Sequence, residues 1–231
     1  MLHRFLAAIG ILLMASVSFA ELSKDEVKRL SDSASIVTEL RDSPDKGIPE
    51  DLWEHAECVL VIPSLKKAAF IVGGEYGSGV MSCRNGTAWS APIFMQLAKG
   101  SWGFQIGAQE IDLVLLVMNR QGANKLLDDK VSLGADASVA AGPVGRAANA
   151  ATDAQFRAEM LAYSHTRGLF AGVDVSGGVL RPDKEAGERA YGPGITARQV
   201  IENTGNVSSP VAAQPFLAAL SSDVRATSGR K

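Results

Sequence analysis

The chain has 231 residues, 46% of them apolar, and its 23 basic side chains almost balance 25 acidic ones, for a net charge of −2. This length and apolar content suit one large domain or two small ones with a packed core. A slightly negative chain has no bulk attraction for nucleic acid or for anionic lipid. No nucleic-acid partner is therefore predicted, and electrostatic binding of any other polyanion requires a local patch.

The first twenty residues are typical of a cleaved secretory signal of the bacterial type. A basic start precedes an apolar run, which ends in small residues at Ser18 and Ala20, just before Glu21. The run is shorter than the roughly 20 residues that span a bilayer, although a membrane-anchor helix is an alternative. We therefore predict that residues 1–20 are removed and that a single domain, residues 21–231, reaches the periplasm or the outside of the cell.

Helical patterns stand at both ends of the remaining chain. Ser23 and Glu26 can form a capping box, and apolar residues then recur every three or four positions, which predicts a first helix. A short second helix is expected around Trp53, whose indole ring is predicted to anchor the core. Near the C-terminus, residues 204–214 resemble a linker, and Pro215 is well placed at the start of a terminal helix.

Between these ends the pattern changes to short apolar runs of period two, separated by turns. Such runs predict a meandering antiparallel sheet whose first strand ends at Pro63. Short helices are expected at residues 121–127 and 195–203, and turns are expected between 175 and 194. The predicted strands are residues 58–62, 68–72, 79–83, 91–97, 103–108, 111–118, 160–164 and 169–175.

The segment VGGEYGSGVMSCRNGTAWSAP, residues 72–92, is rich in glycine and raises the question of a phosphate-binding loop. Neither G-x-G-x-x-G nor G-x-x-x-x-G-K-[ST] can be written across it, and the residues after Gly79 continue as a strand. Glycine within a strand usually marks a bulge, a bend or the close approach of two backbones. We therefore interpret Gly74 and Gly79 as positions that let the strands curl into a barrel-like sheet.

The sequence contains no catalytic or metal-binding motif. It lacks H-E-x-x-H, paired Cys-x-x-Cys and G-x-S-x-G, and the two histidines of residues 21–231, His55 and His165, are interpreted as surface or satisfied core residues. Cys58 and Cys83 lie in predicted strands, where a disulfide between them and two buried thiols are equally compatible with the sequence. We therefore predict no enzymatic activity, no cofactor and no metal site, and a hydrolase is the least favoured function.

Four ordered stretches resemble the signature blocks of the SYLF domain family, also called the Las-seventeen-binding or actin-regulator family. The stretches are VLVIPSLKKAAFIVGGEYGSGVM, WSAPIFMQLAKGSWGFQIGAQEIDLVLLVMN, LGADASVAAGPVGR and YSHTRGLFAGVDVSGGVL. The resemblance implies a lipid-binding module, and eukaryotic members bind phosphoinositides and bundle actin. With the helix and glycine patterns, it predicts an α+β fold with a curved, barrel-like, largely antiparallel sheet and flanking N-terminal and C-terminal helices. His165 departs from the family pattern, which often has arginine there.

Basic residues at turns and at the edges of these blocks are candidates for lipid binding, namely Lys66, Lys67, Arg84, Arg146 and Arg167. Each basic side chain near an anionic surface contributes about 1 kcal/mol, and a solvated surface charge is the alternative for each one. The leading hypothesis is a non-enzymatic protein of the bacterial cell envelope that binds an anionic membrane lipid at the membrane surface. The alternative is an interaction protein that docks another envelope protein.

Overall fold

The structure is a computed structural model, and it describes residues 21–42, 47–69, 72–102, 107–144, 157–166, 169–203 and 207–222. The helices are α1 (Lys24–Arg41), α2 (Glu50–His55), α3 (Arg120–Leu126), α4 (Lys184–Tyr191), α5 (Ala197–Ile201) and α6 (Gln214–Ser221), with a 3-10 turn at Val211–Ala213. The strands are β1 (Cys58–Ala69), β2 (Val72–Asn85), β3 (Ala88–Trp89), β4 (Ile93–Trp102), β5 (Gly107–Val117), β6 (Val131–Ser132), β7 (Val139–Ala141), β8 (Met160–Thr166), β9 (Leu169–Gly172) and β10 (Gly178–Pro182).

The described strands form one sheet that curls into a half-barrel. Their order across the sheet is β6-β10-β4-β2-β1-β5-β8-β7, with β3 paired to β2 and β9 paired to β8. Of the described strand pairs, only β7 with β8 is parallel. The predicted α+β fold with a curved, largely antiparallel sheet is therefore confirmed. The predicted meander is wrong, because β4 and β5 lie on either side of the β1–β2 hairpin instead of pairing with each other.

Both faces of the central strands are buried, which explains their nearly continuous apolar runs. Successive side chains of a strand point to opposite faces, and in β1 Val59 packs in one core cluster while Leu60 packs in the other. The first cluster contains residues of α1 and α6, and the second contains residues of α3 and α5. We call these two sides of the sheet the α1 face and the α3 face.

The helix predictions at the two ends of the chain are confirmed. The Ser23 hydroxyl accepts from the backbone N–H of Glu26 at 3.3 Å, and the Glu26 carboxylate accepts from the backbone N–H of Ser23 at 2.7 Å, which completes the capping box. Trp53 is 2% exposed within the core of the α1 face. Pro215 lies in the first turn of α6, and the 3-10 turn at its N-terminal side occupies part of the predicted linker.

The first strand does not end at Pro63. β1 continues to Ala69, and its register shifts between Val61 and Lys66 against β2 and also near Pro63 against β5. Ser64, in this shift, has a φ of 53°, and its backbone N–H donates to Asp112 of β5 at 2.9 Å. A bulge is one of the few places where a sheet accepts proline. The bulge therefore carries the strand past Pro63.

Strand β2 runs without interruption through the glycine-rich segment. A Cβ atom on Gly79 would lie 2.2 Å from the carbonyl oxygen of Val61, and one on Gly77 would lie 2.5 Å from a side-chain carbon of Ile62. The nearest atom to a Cβ on Gly74 would be 3.7 Å away, which is an ordinary van der Waals contact. Close approach of β1 thus requires glycine at positions 77 and 79, whereas nothing in the packing requires it at Gly74.

Cys58 and Cys83 lie directly opposite each other in β1 and β2, and a disulfide joins them. Both side chains are buried on the α3 face. The bond links the two strands at the end of the hairpin that lies away from its turn, so it closes a loop that includes the bulge and the glycine-rich segment.

The stretch that was expected to form turns contains a strand and a helix, β10 and α4. Asp183 precedes α4, and its side chain accepts from the backbone N–H of Ala186, as an N-cap residue does. The sequence Asp183-Lys184-Glu185 carried this signal, because a capping aspartate followed by an acidic residue in the first turn favours a helix start. Helix α4 was missed because Ala186 is its one residue that is buried in the core.

Candidate functional site

Of the predicted lipid-binding positions, the structure describes Lys66, Lys67 and Arg84, and it places Arg84 eight residues along β2 from Tyr76, the partner of Lys66. Lys66 and Lys67 lie inside β1 and not at a turn, and adjacent positions of a strand belong to opposite faces of the sheet. Lys66 lies opposite Glu110 of β5, and Lys67 lies opposite Glu75 of β2. Facing opposite charges attract each other in a sheet, so Glu110 offsets part of the charge of Lys66.

Arg84 is held by contacts within the protein. Its guanidinium donates to the carbonyl oxygens of Ala56 at 2.9 Å and Trp53 at 3.2 Å, at the C-terminal end of α2. It also lies 4.5 Å from the centroid of the Trp89 ring, in a cation–π contact. Arg84 therefore fastens α2 to β2 and β3. A contact between Arg84 and lipid stays a prediction, and Arg146 and Arg167 lie outside the described residues.

Buried charges elsewhere are also paired internally. Glu26 of α1, 1% exposed, accepts from Arg189 of α4 at 2.6 and 2.7 Å. Burial raises the pKa of Glu26, but the hydrogen bonds from Arg189 and Ser23 outweigh burial and hold its pKa below the ordinary value. The carboxylate of Glu159 likewise accepts from the ammonium of Lys125 at 2.8 Å. Burial raises the pKa of Glu159, but hydrogen bonds from Lys125 and Ser138 outweigh burial and hold its pKa below the ordinary value. The first pair joins α1 to α4, and the second joins α3 to the residue that precedes β8.

His165 is buried between two carboxylates. Its Nδ1 lies 3.0 Å from Asp112 and its Nε2 lies 3.0 Å from Glu39 of α1, while its ring stacks on Phe170 with centroids 4.5 Å apart. The cluster ties α1 to β5 and β8. Within the part of the chain that the structure describes, no group of His, Cys, Asp and Glu side chains is arranged to hold a metal ion.

Helix α1 covers only part of the α1 face, and the part around Tyr76 is exposed and is not covered by any described helix. Paired residues of neighbouring antiparallel strands share a face, and so do residues two positions apart in one strand. The strand register thus places eight residues side by side on this surface, which we call the open face. They are Lys66 of β1, Gly74, Tyr76 and Ser78 of β2, Gln96 and Ala98 of β4, Glu110 of β5 and Arg181 of β10.

The open face combines an exposed aromatic ring with two basic side chains. Tyr76 is 51% exposed and lies directly opposite Lys66. The exposed guanidinium of Arg181 donates to the side-chain oxygen of Gln96 at 2.9 and 3.1 Å, which orients the guanidinium and leaves its charge intact. Tyrosine is enriched at membrane–water interfaces, because its ring is apolar and its tip is polar. Glu110 is the one acidic member of the open face.

Sequence reasoning missed Tyr76 and Arg181. The period-two pattern of β2 places Tyr76 and Ser78 on the face opposite Gly77 and Gly79, and that signal was present in the sequence. Arg181 carried no such signal, because β10 itself was not predicted. Among the described residues, no helix is both long and apolar enough to cross a membrane.

Comparison with known proteins finds a matching family model and several similar chains. The model of the family described as Las17-binding protein actin regulator matches residues 98–223. LAS seventeen-binding protein 3 of Saccharomyces cerevisiae is 37% identical over 184 residues, which cover 77% of this chain and 39% of the yeast protein. Protein YSC84 of the same yeast is 35% identical over 183 residues, which cover 77% of this chain and 38% of that protein.

A mammalian relative shows a similar likeness. SH3 domain-containing YSC84-like protein 1 of Rattus norvegicus is 31% identical over 203 residues, which cover 86% of this chain and 59% of that protein. The chain thus spans less than two thirds of the length of these relatives. The identities and the matched share of the chain show that it belongs to the Ysc84 family of Las17-binding protein actin regulators.

Proposed function

We propose that this chain is a non-enzymatic protein that binds the surface of membranes containing anionic lipid, and that it does so through the open face. The open face carries this proposal, because an exposed tyrosine beside a lysine, with an arginine on the same surface, lies on a side of the sheet that no described helix covers. Relatives that are named as binding and regulator proteins support binding over catalysis.

The charges favour weak and reversible binding. Lys66 and Arg181 each contribute about 1 kcal/mol near an anionic surface, and Glu110 opposes them. Residues without bulky side chains, such as Gly74 and Ala98, let the sheet approach the lipid head groups closely. The apolar part of Tyr76 adds burial that does not depend on salt. We therefore expect binding that weakens strongly, but not completely, as salt rises.

We place this function in the bacterial cell envelope, after secretion across the inner membrane. The secretory signal predicted at residues 1–20 supports this location. The Cys58–Cys83 disulfide supports it as well, because disulfides persist mainly in oxidising compartments such as the periplasm. The relatives compared above are eukaryotic proteins. The proposed bacterial origin therefore rests on the predicted signal, and the proposed location rests on this signal and the disulfide.

Vesicle co-sedimentation with charge-reversal variants tests the open face. Lys66→Glu and Arg181→Glu each remove one attraction and add one repulsion, which is worth about 2 kcal/mol or roughly 30-fold in affinity. The matched control is Arg157→Glu, which makes the same charge change at an exposed residue. Arg157 lies just before Met160 of β8, which pairs with Val117 at the end of β5 away from Glu110. Equal weakening by all three variants would assign binding to net charge and would contradict a role for the open face.

A protein partner is the second candidate function. One yeast relative carries a name that states binding to another protein, and the open face is an exposed surface that such a partner could cover. A photo-crosslinking residue at position 76 distinguishes the two functions. Recovery of crosslinked lipid supports the leading proposal. Recovery of one crosslinked envelope protein, in the same amount after membrane vesicles are removed from the sample, supports the alternative.

A further inference from the structure

A cavity of about 300 Å³ lies between α4, α5 and the start of β4. Its volume is at the lower end of the range of ligand pockets and equals roughly the liquid volume of ten water molecules. Most of its wall is apolar, and the residues that supply this surface are Ile93, Phe94, Leu127, Tyr191, Ile195 and Val200. None of these residues belongs to the open face.

Asp183 and Tyr191, two polar residues of the cavity wall, already have partners inside the protein. One carboxylate oxygen of Asp183 accepts from the backbone N–H of Ala186 at 3.2 Å, and the other lies 3.4 Å from the guanidinium of Arg29. The hydroxyl of Tyr191 donates to the carbonyl oxygen of Pro92. A bound water needs two to four polar partners, so the interior suits an apolar group better than water or a polar ligand.

Helix α4 leaves space open toward this cavity. Gly187, near the middle of α4, lines the cavity, and a Cβ atom on it would meet no heavy atom within 4 Å. Glycine is the least favourable residue in a helix interior apart from proline. Packing therefore gives no reason for glycine at this position, and any larger residue would reduce the volume of the cavity.

The mouth of the cavity carries more negative than positive charge. Lys184 pairs with Asp129 at 2.9 Å, and both side chains are largely exposed, by 74% and 86%. Glu188, one turn further along α4, is also exposed and lines the same mouth. Two carboxylates against one ammonium disfavour an anionic group at this place and favour an uncharged or cationic one.

We propose that this cavity binds a single apolar chain of an amphiphile whose head group is uncharged or carries a positive charge. The chain lies among the apolar residues between α4 and α5, and the head group stays at the mouth beside Asp129 and Glu188. A volume of ten waters holds one chain of roughly that number of methylene groups, and not the two chains of a phospholipid. The cavity shares no lining residue with the open face, although its mouth adjoins Arg181 and Gln96 in a neighbouring depression. Loss of decanol binding therefore tests the cavity and not the open face.

Calorimetric titration with single-chain amphiphiles tests the proposal. Binding of alkyl alcohols should tighten about fourfold with each added methylene group until the cavity is full. Decanol and decylammonium should bind at least tenfold more tightly than decanoate. If the protein binds none of these compounds, the proposal is overturned. If it binds decanoate as tightly as decanol, the proposed preference for an uncharged or cationic head group is overturned.

A variant that fills the cavity separates binding from folding. Gly187→Leu should abolish the binding of decanol without lowering the melting temperature, because leucine is a better helix former and its side chain enters open space. The matched control is Gly100→Leu, where a Cβ atom also meets nothing within 4 Å but lies outside the cavity. Unchanged binding by Gly187→Leu would contradict the proposed site.

A second variant changes the mouth and leaves the interior intact. Glu188→Lys alters an exposed side chain, so the fold should be preserved, and it should shift the preference between decylammonium and decanoate at least tenfold toward decanoate. No shift would overturn the placement of the head group. Competition by a monoacylglycerol carried in vesicles, whose head group is uncharged, would support an alkyl chain that comes from a membrane lipid. Competition by dissolved decanol alone would support a free amphiphile.

Discussion

Two glycines inside regular elements, Gly79 of β2 and Gly187 of α4, stand at opposite extremes of packing. A Cβ atom on Gly79 would lie 2.2 Å from the carbonyl oxygen of Val61, whereas one on Gly187 would meet nothing within 4 Å. In β2 a neighbouring backbone occupies the space, and in α4 the space stays open. The same residue type thus permits close packing in one region and leaves a cavity in the other, and composition alone does not distinguish the two.

The largest effect is expected where the space is filled. Gly79→Val should destabilise the fold by about 4 kcal/mol or more or prevent folding, because its Cβ would collide with the backbone of β1, which cannot move without breaking strand pairing. Chemical denaturation measures the loss. Gly74→Val is the matched control in the same strand and should change stability by about 1 kcal/mol or less. Equal effects at both positions would contradict the packing explanation.

The next effect tests the disulfide that links β1 to β2. Replacing Cys58 and Cys83 together by alanine should destabilise the fold by about 3 kcal/mol, since the bond closes a loop with a sequence separation of 25 residues. The same loss should follow when the unchanged chain is denatured in the presence of a reductant. A double variant as stable as the unchanged chain would show that strand pairing alone sets the close approach at Gly79.

A smaller effect, dependent on pH, concerns the contact that holds α4 to α1. The folded state keeps the pKa of Glu26 below its ordinary value of 4.5, because hydrogen bonds from Arg189 and Ser23 outweigh burial. A lowered pKa stabilises the fold above about pH 4.5, and this contribution is lost as the pH falls through that value toward the folded pKa. Glu26→Gln should therefore cost about 1 to 2 kcal/mol at neutral pH and flatten the acid side of the stability curve.

Thermal unfolding from neutral to acidic pH measures this change. Glu185→Gln is the matched control, because Glu185 faces the same arginine from an exposed position at 3.9 Å and should leave the acid dependence nearly unaltered. If both variants show the same dependence of stability on pH, the buried pair of Glu26 and Arg189 does not hold α4 to α1.

The smallest effect on stability is expected in α4 itself, and it has the opposite sign. Gly187→Ala should stabilise the fold by up to about 1 kcal/mol, because alanine is the better helix former and its methyl group enters open space. Denaturant unfolding at neutral pH measures the gain. A clear loss of stability would mean that a neighbour closes on Gly187 in solution, and the contrast with Gly79 would disappear.

Sequence patterns predicted those helices and strands in which capping residues and the spacing of apolar residues match the side chains that are buried. The capping box at Ser23 and the apolar stripe after it predicted α1, and Trp53 was correctly expected in the core. The central strands were recognisable because apolar residues cover both of their faces. Helix α4 was not predicted, because its sequence, KEAGERAY, buries little more than Ala186 and is otherwise solvated. Cavities such as the one beside Gly187 depend on the packing of distant elements, which local periodicity does not report.

The predicted site residues depended even more on long-range structure. Pro63 marks a strand end in sequence, but a bulge against β2 and β5 carries the strand through it and moves Lys66 and Lys67 from a turn into β1. Arg84 looked like a free cation, but it binds the carbonyl oxygens at the end of α2. The place of a basic side chain therefore followed from strand register and not from its neighbours in the sequence.

Flotation of the purified chain with neutral and anionic vesicles tests the central claim most directly. The experiment compares about 0.01 M with about 1 M salt, where charges are screened over about 30 Å and about 3 Å. We predict flotation with anionic vesicles at low salt, a large decrease at high salt, and little flotation with neutral vesicles. Equal flotation with both vesicle types at both salt concentrations, or none with either, would contradict binding of anionic lipid through the open face.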